Sequence, residues 1–179
     1  RMPARHTIPK YRLMNRRKIR AMLLGFLLVA TTAWSQEGPG GQFVEDEFVA
    51  EARDLLQAGR KEVIAEELGL TAAEAETFWP VYEEYQADMM VVRDRYVEML
   101  GGYLARYEAG DLDDEYAQDL LDDWLDYKAD KLKITSKHVP NFSEVLSMRK
   151  VVRFYQLENK MDAEIDAELA VFVPLMDPY

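Results

Sequence analysis

Apolar residues recur at spacings of three and four along this chain from about Phe48 almost to its end, and no stretch shows the strict alternation of a half-buried strand. The pattern predicts four helices. The first runs from about Phe48 to Leu68, with Phe48, Ala52, Leu55, Leu56, Val63 and Leu68 on its apolar side and Gly69 placed to end it. Thr71 then opens a capping box with Glu74: the hydroxyl accepts from the Glu74 N–H while that carboxylate reaches back to the cap.

The helix after it places Phe78, Tyr82, Tyr85, Met89, Val92, Tyr96, Met99 and Tyr103 at alternating spacings of four and three, a heptad seam able to pack like a coiled coil. Unbroken from Ala72 to Tyr107, it would span about 54 Å. Pro80 cannot donate to the Glu76 carbonyl and is expected to kink it, and Gly101-Gly102 marks a second soft point. A third helix from about Asp113 carries Tyr116, Leu120, Leu121, Trp124, Leu125, Tyr127, Leu132 and Ile134 toward His138, where Pro140 is expected to bend or interrupt it. Ser147 can cap a fourth helix lined by Val151, Phe154, Tyr155, Met161, Ile165, Leu169 and Phe172, and Pro174 and Pro178 close the chain.

These elements predict an all-α fold of four helices in an elongated, hairpin-like arrangement. So long and flat a layer has two large faces. One must be covered by the first helix, by a second copy of the protein or by a bound partner.

The first 35 residues change the picture of where such a domain works. Met14 opens a basic stretch, MNRRKIR, followed by an apolar run of 14 residues from Ala21 to Trp34. A membrane-spanning helix needs roughly 20. Ala33 and Ser35 stand at the −3 and −1 positions of a cut before Gln36, so residues 14–35 are read as a secretory signal peptide and residues 1–13 as upstream translation. No cysteine follows the run, which excludes a lipid-anchored lipoprotein. The rest divides into a glycine-rich tether (36–47), a helical domain (48–173) and a C-terminal tail (174–179). The expected location is the periplasm, with no membrane attachment after cleavage.

Of 22 Lys and Arg residues, 8 lie in the leader, which has no acid; the remainder carries 14 bases against 33 acids, a formal charge of −19. Such a surface repels nucleic acid and anionic membrane alike, while cationic partners stay open. With no cysteine in the chain, neither a disulfide nor thiol chemistry is available.

Leu70-Thr71-Ala72-Ala73-Glu74, followed by Phe78-Trp79-Pro80-Val81-Tyr82, resembles the Leu-Thr-x-x-Gln motif of the Spy/CpxP family of periplasmic helical proteins. A second echo is Leu146-Ser147-Met148-Arg149-Lys150. Glu74 and Lys150 stand where the family has glutamine, and the Phe-Trp-Pro-x-Tyr run looks like a divergent branch. The resemblance implies a four-helix fold, often a cradle-shaped dimer, with each motif at a loop-to-helix junction. It also implies either client-holding chaperone activity in envelope stress or a role as a signalling adaptor.

Chemistry-bearing groups are few. His138 is the one histidine outside the leader, too little for a histidine metal site or a nucleophilic triad, and is read as a packing or surface residue. Asp111, Asp113 and Glu115 have the spacing of a calcium loop, but Tyr116 occupies the position that needs glycine; they are read as helix-start acids. Asp122, Asp123, Asp126 and Asp130 beside Lys128, Lys131 and Lys133 read as a solvated face. Trp79 and Tyr82, Tyr85, Tyr96, Tyr103 and Tyr107 fit either a client-binding strip or, with more weight on their heptad spacing, the core. No catalytic residue, cofactor or metal is expected. The leading function is client holding by a periplasmic helical protein, with a homodimer as its form. The alternative is an adaptor docking on the sensor domain of a membrane kinase or an anti-sigma factor, and a purely structural dimer is a third reading.

Overall fold

The computed structural model describes residues 57–177, and among them the chain is all helical apart from its turns and tail. We label the helices α1 (residues 57–67), α2 (Ala72–Ala109), α3 (Asp114–Val145) and α4 (Met148–Phe172). The expected start of the first helix, the expected tether, and Ser35 and Gln36 of the expected cleavage site lie outside the described residues.

The turn chemistry explains the boundaries. Gly69 has φ 65° after α1, a conformation that costs a residue with a Cβ. At Thr71 both arms of the capping box form. At the other end of α2, Gly110 has φ 67°, its N–H donates to the Tyr107 carbonyl and that of Asp111 donates to the Arg106 carbonyl. These are the paired bonds of a Schellman motif. Asp113 then caps α3, its carboxylate accepting from the Tyr116 N–H at 2.8 Å. This is how the would-be calcium-loop acids are used: Asp113 caps, and Asp111 pairs with Arg106 at 3.7 Å.

Cross-helix contacts set the topology. Phe78 meets Phe142, Tyr85 meets His138, Arg95 pairs with Asp130 and Arg106 lies over the Tyr116 ring, so α2 and α3 run antiparallel. Phe78 meets Phe154, Arg93 meets Glu158 and Tyr103 donates to the Pro174 carbonyl, so α4 runs parallel to α2. Lys61 pairs with Glu83 and Glu67 with Arg153, which makes α1 antiparallel to both. The result is an up-down-up-down bundle.

The densest packing sits toward the end where the α1–α2 and α3–α4 turns lie. Val63 and Ile64 of α1, with Leu68 just after it, close over Phe78, Tyr82, Tyr85 and Met89 of α2, Phe142 of α3 and Leu146 at its C-cap, and Val151, Phe154, Leu157 and Met161 of α4. The rings interlock mostly edge to face, as at Phe78–Phe154 (5.7 Å, 78°) and Tyr85–Phe142 (5.7 Å, 74°). Each such pair contributes about 0.5–1.5 kcal/mol beyond its area burial.

Both prolines are carried inside continuous helices. Of the bend or interruption expected at Pro140, the interruption does not occur. Pro140 is itself exposed, so the Ser136 carbonyl it leaves without a helical donor lies on the solvent side, whereas Phe142 and Leu146 beyond it are buried and hold the helix to the core. Pro80 likewise faces solvent while Phe78 and Tyr82 on either side of it are buried.

Candidate functional site

The two motif segments, 76 residues apart in sequence, are brought into contact. Lys150 Nζ donates to Glu74 Oε2 at 2.6 Å and to the Gly69 carbonyl at 2.8 Å. The same Glu74 oxygen accepts from the Thr71 N–H at 2.8 Å and from its hydroxyl at 2.9 Å. Lys150 and these Thr71 bonds push the Glu74 carboxyl down to about 2. One turn further along α4, Arg153 Nε donates to the Glu67 carbonyl at 2.6 Å. Leu70 packs half-buried on the core and Leu146 is buried within it. So the non-glutamine residues at the fifth position of each segment form an ion pair that fastens the α1–α2 turn to α4.

Ser147 occupies the cap position of α4, yet its side chain makes no capping bond. Phe78 and Tyr82 are core residues, and Trp79 lies half-buried edge-on to both, with Lys61 Nζ 5.1 Å above its ring. Tyr85 and Tyr103 are buried and Tyr96 stacks on Tyr127 at 4.3 Å and 12°. Of the two readings of the aromatic residues, packing is the one observed for Tyr82, Tyr85 and Tyr103. His138 is buried too, its Nε2 2.7 Å from Asp88 Oδ2 and its ring against the edge of Tyr85. Lys137 and His138 lower the Asp88 carboxyl.

A buried ionic cluster escaped the sequence reading. Arg60 of α1 bonds to Glu158 at 3.1 Å and to Asp162, Arg93 reaches Glu158 at 3.3 Å, and Lys131 meets Asp162 at 2.7 Å. Gln86 donates to Glu158 and accepts from Arg93. Burial alone would raise the Asp162 carboxyl, but Arg60, Arg93 and Lys131 outweigh it and bring the group down to about 2. A carboxylate held this firmly ionised exchanges no proton near neutral pH; the cluster aligns four helices. Its trace in the sequence is that Arg60 stands one turn before Val63 and Ile64, and that Glu158 and Asp162 directly follow the apolar residues Leu157 and Met161.

The other half of the molecule offers surface. Leu121 (50% exposed), Trp124 (42%), Leu125 (50%) and Leu132 (66%), apolar positions that the sequence places on the third helix, face outward. Tyr127 is the buried residue of that stretch. On the α2 side, a cleft of about 450 Å³ is lined by Val92, Met99, Tyr116 and Tyr127, with Asp123 and Asp126 at its edge.

No family model, curated protein or solved structure matches the chain. Among the described residues no helix is long and apolar enough to cross a membrane, and no group of three or more histidine, cysteine or acidic side chains is arranged to hold a metal ion.

Proposed function

We propose that this protein is a periplasmic helical binding protein that holds other polypeptides, in the manner that its likeness to the Spy/CpxP motif implies, and that it acts by burying apolar surface rather than by catalysis. The observation that carries the reading is the run of large apolar side chains left open on α3, beside a buried core that does not include them. Apolar surface returned to contact is worth about 25 cal/mol per Å². Three exposed leucines and a tryptophan on one helix supply such contact without disturbing the fold that presents them.

Light scattering of a reduced, aggregating client protein tests this, with the purified protein added in stoichiometric amount and in excess. Suppression across unrelated clients is the expected result. No effect on several clients, together with saturable binding to a single sensor domain, would replace holding with the adaptor role.

A further inference from the structure

Between Asp114 and Tyr127, α3 carries six acids (Asp114, Glu115, Asp119, Asp122, Asp123 and Asp126) and no lysine or arginine. Among the described residues none of the six forms an ion pair. Leu121, Trp124, Leu125 and Leu132 lie on the outer side of the same helix, and Asp122 stands one turn from both Leu125 and Asp126, so an apolar row borders an acidic one. Trp124 on this surface already accepts a cation from within the chain: Lys128 Nζ lies 5.4 Å from its ring.

We propose that this α3 face docks a cationic amphipathic segment of a partner polypeptide, its apolar side on Leu121, Trp124 and Leu125 and its lysines or arginines against Asp122 and Asp126. This rests on the holding reading and names the class of client that it favours. Charge complementarity selects the occupant. A second copy of this chain would bring the same acidic row, and the chain as a whole is at −11, so self-pairing through this face is opposed by like charge. A basic amphipathic segment meets both rows at once, with its apolar residues giving affinity and its charges giving register and on-rate.

The test is titration of the purified protein with two synthetic amphipathic peptides that share their apolar positions and differ only in lysine or glutamate elsewhere, followed by calorimetry at low and high salt. The lysine peptide binds and the glutamate peptide does not. L121Q/L125Q weakens the lysine peptide by about tenfold or more at unchanged helical circular dichroism. D122N/D126N weakens it several-fold at low salt, and the difference closes at high salt. Equal binding of the two peptides, or unchanged affinity in L121Q/L125Q, overturns the proposal. Client aggregation measured in parallel separates the two ideas. If L121Q/L125Q still suppresses aggregation as the parent does, this surface is wrong and holding stands. If the lysine peptide binds as described but no client is protected, the surface stands and holding falls.

Discussion

The two halves of this bundle use aromatic and apolar residues for opposite ends. Where the α1–α2 and α3–α4 turns meet, Phe78, Phe142 and Phe154 are fully buried and interlocked, and α1 closes over them. Toward the α2–α3 turn, Tyr96 stacks on Tyr127 within the hairpin, while Trp124 and its leucine neighbours face solvent on α3. The difference teaches that apolar periodicity marks where a helix could pack, and that the number of neighbours available decides whether it does. One half is a scaffold; the other is a surface.

The sharpest way to break the comparison is by truncation. Phe154→Ala in the interlocked half is expected to cost about 3–5 kcal/mol in chemical denaturation, because the rings of Phe78, Tyr85 and Phe142 cannot collapse into the space. Leu125→Gln on the open half is expected to stay within about 0.5 kcal/mol. Comparable losses from the two would mean that the α3 stripe is packed in solution and that the contrast is wrong.

Much of the scaffold was readable in advance because it rests on local rules. The capping box at Thr71 and the C′ glycine at Gly69 both follow from backbone chemistry that needs no tertiary context. What could not be read was which residues of the third helix find a partner. Tyr127 and Leu125 are two positions apart in the same periodic stretch, and only the placement of α2 and α4 buries one and exposes the other. The continuity of α3 through Pro140 has the same origin: Phe142 and Leu146 carry the helix past it by contacts distant in sequence. Contact between Glu74 and Lys150 was likewise hidden, since each motif segment is a local junction and their meeting depends on the bundle.

The ionic cluster marks where scaffold gives way to surface, and it sharpens the comparison by charge. Removing the guanidinium with Arg60→Ala leaves Glu158 buried with less compensation and is expected to cost about 3–5 kcal/mol. Glu83→Gln, which breaks the exposed pair with Lys61, should cost less than about 1 kcal/mol. The measurement is again the denaturation midpoint; a mild effect of Arg60→Ala would show that the cluster is hydrated rather than part of the interior.

Acid provides a graded probe of the same cluster. The Asp162 carboxyl is held near 2 in the fold against an ordinary value of 3.8, chiefly because Arg60, Arg93 and Lys131 overcome its burial. A folded value below the unfolded one contributes stability that is full above about pH 4 and is lost as pH falls through about 2, an effect of about 2 kcal/mol. Denaturation of the parent from pH 5 down to 2 should therefore show a slope that Asp162→Asn flattens. An unchanged slope in Asp162→Asn would assign the acid sensitivity elsewhere, with Glu74, also held at about 2 by Lys150 and Thr71, as the next group to replace.

The smallest expected effect separates the two motif junctions. Thr71 and Ser147 occupy the same place in their segments and both cap a helix by position, but only the Thr71 hydroxyl is bonded to a backbone N–H, that of Glu74 at 3.3 Å. Thr71→Ala removes that acceptor and one of the donors to the Glu74 carboxylate, and is expected to lower stability by about 1 kcal/mol. Ser147→Ala removes no such bond, so its loss should be within about 0.5 kcal/mol, left to the backbone preference of the cap position alone. The two thermal midpoints measured side by side check this. If they fall equally, Ser147 caps α4 in solution and the junctions are equivalent; if only Thr71→Ala falls, the turn before α2 is held by its own side chains and that before α4 by the burial of Leu146 and Val151.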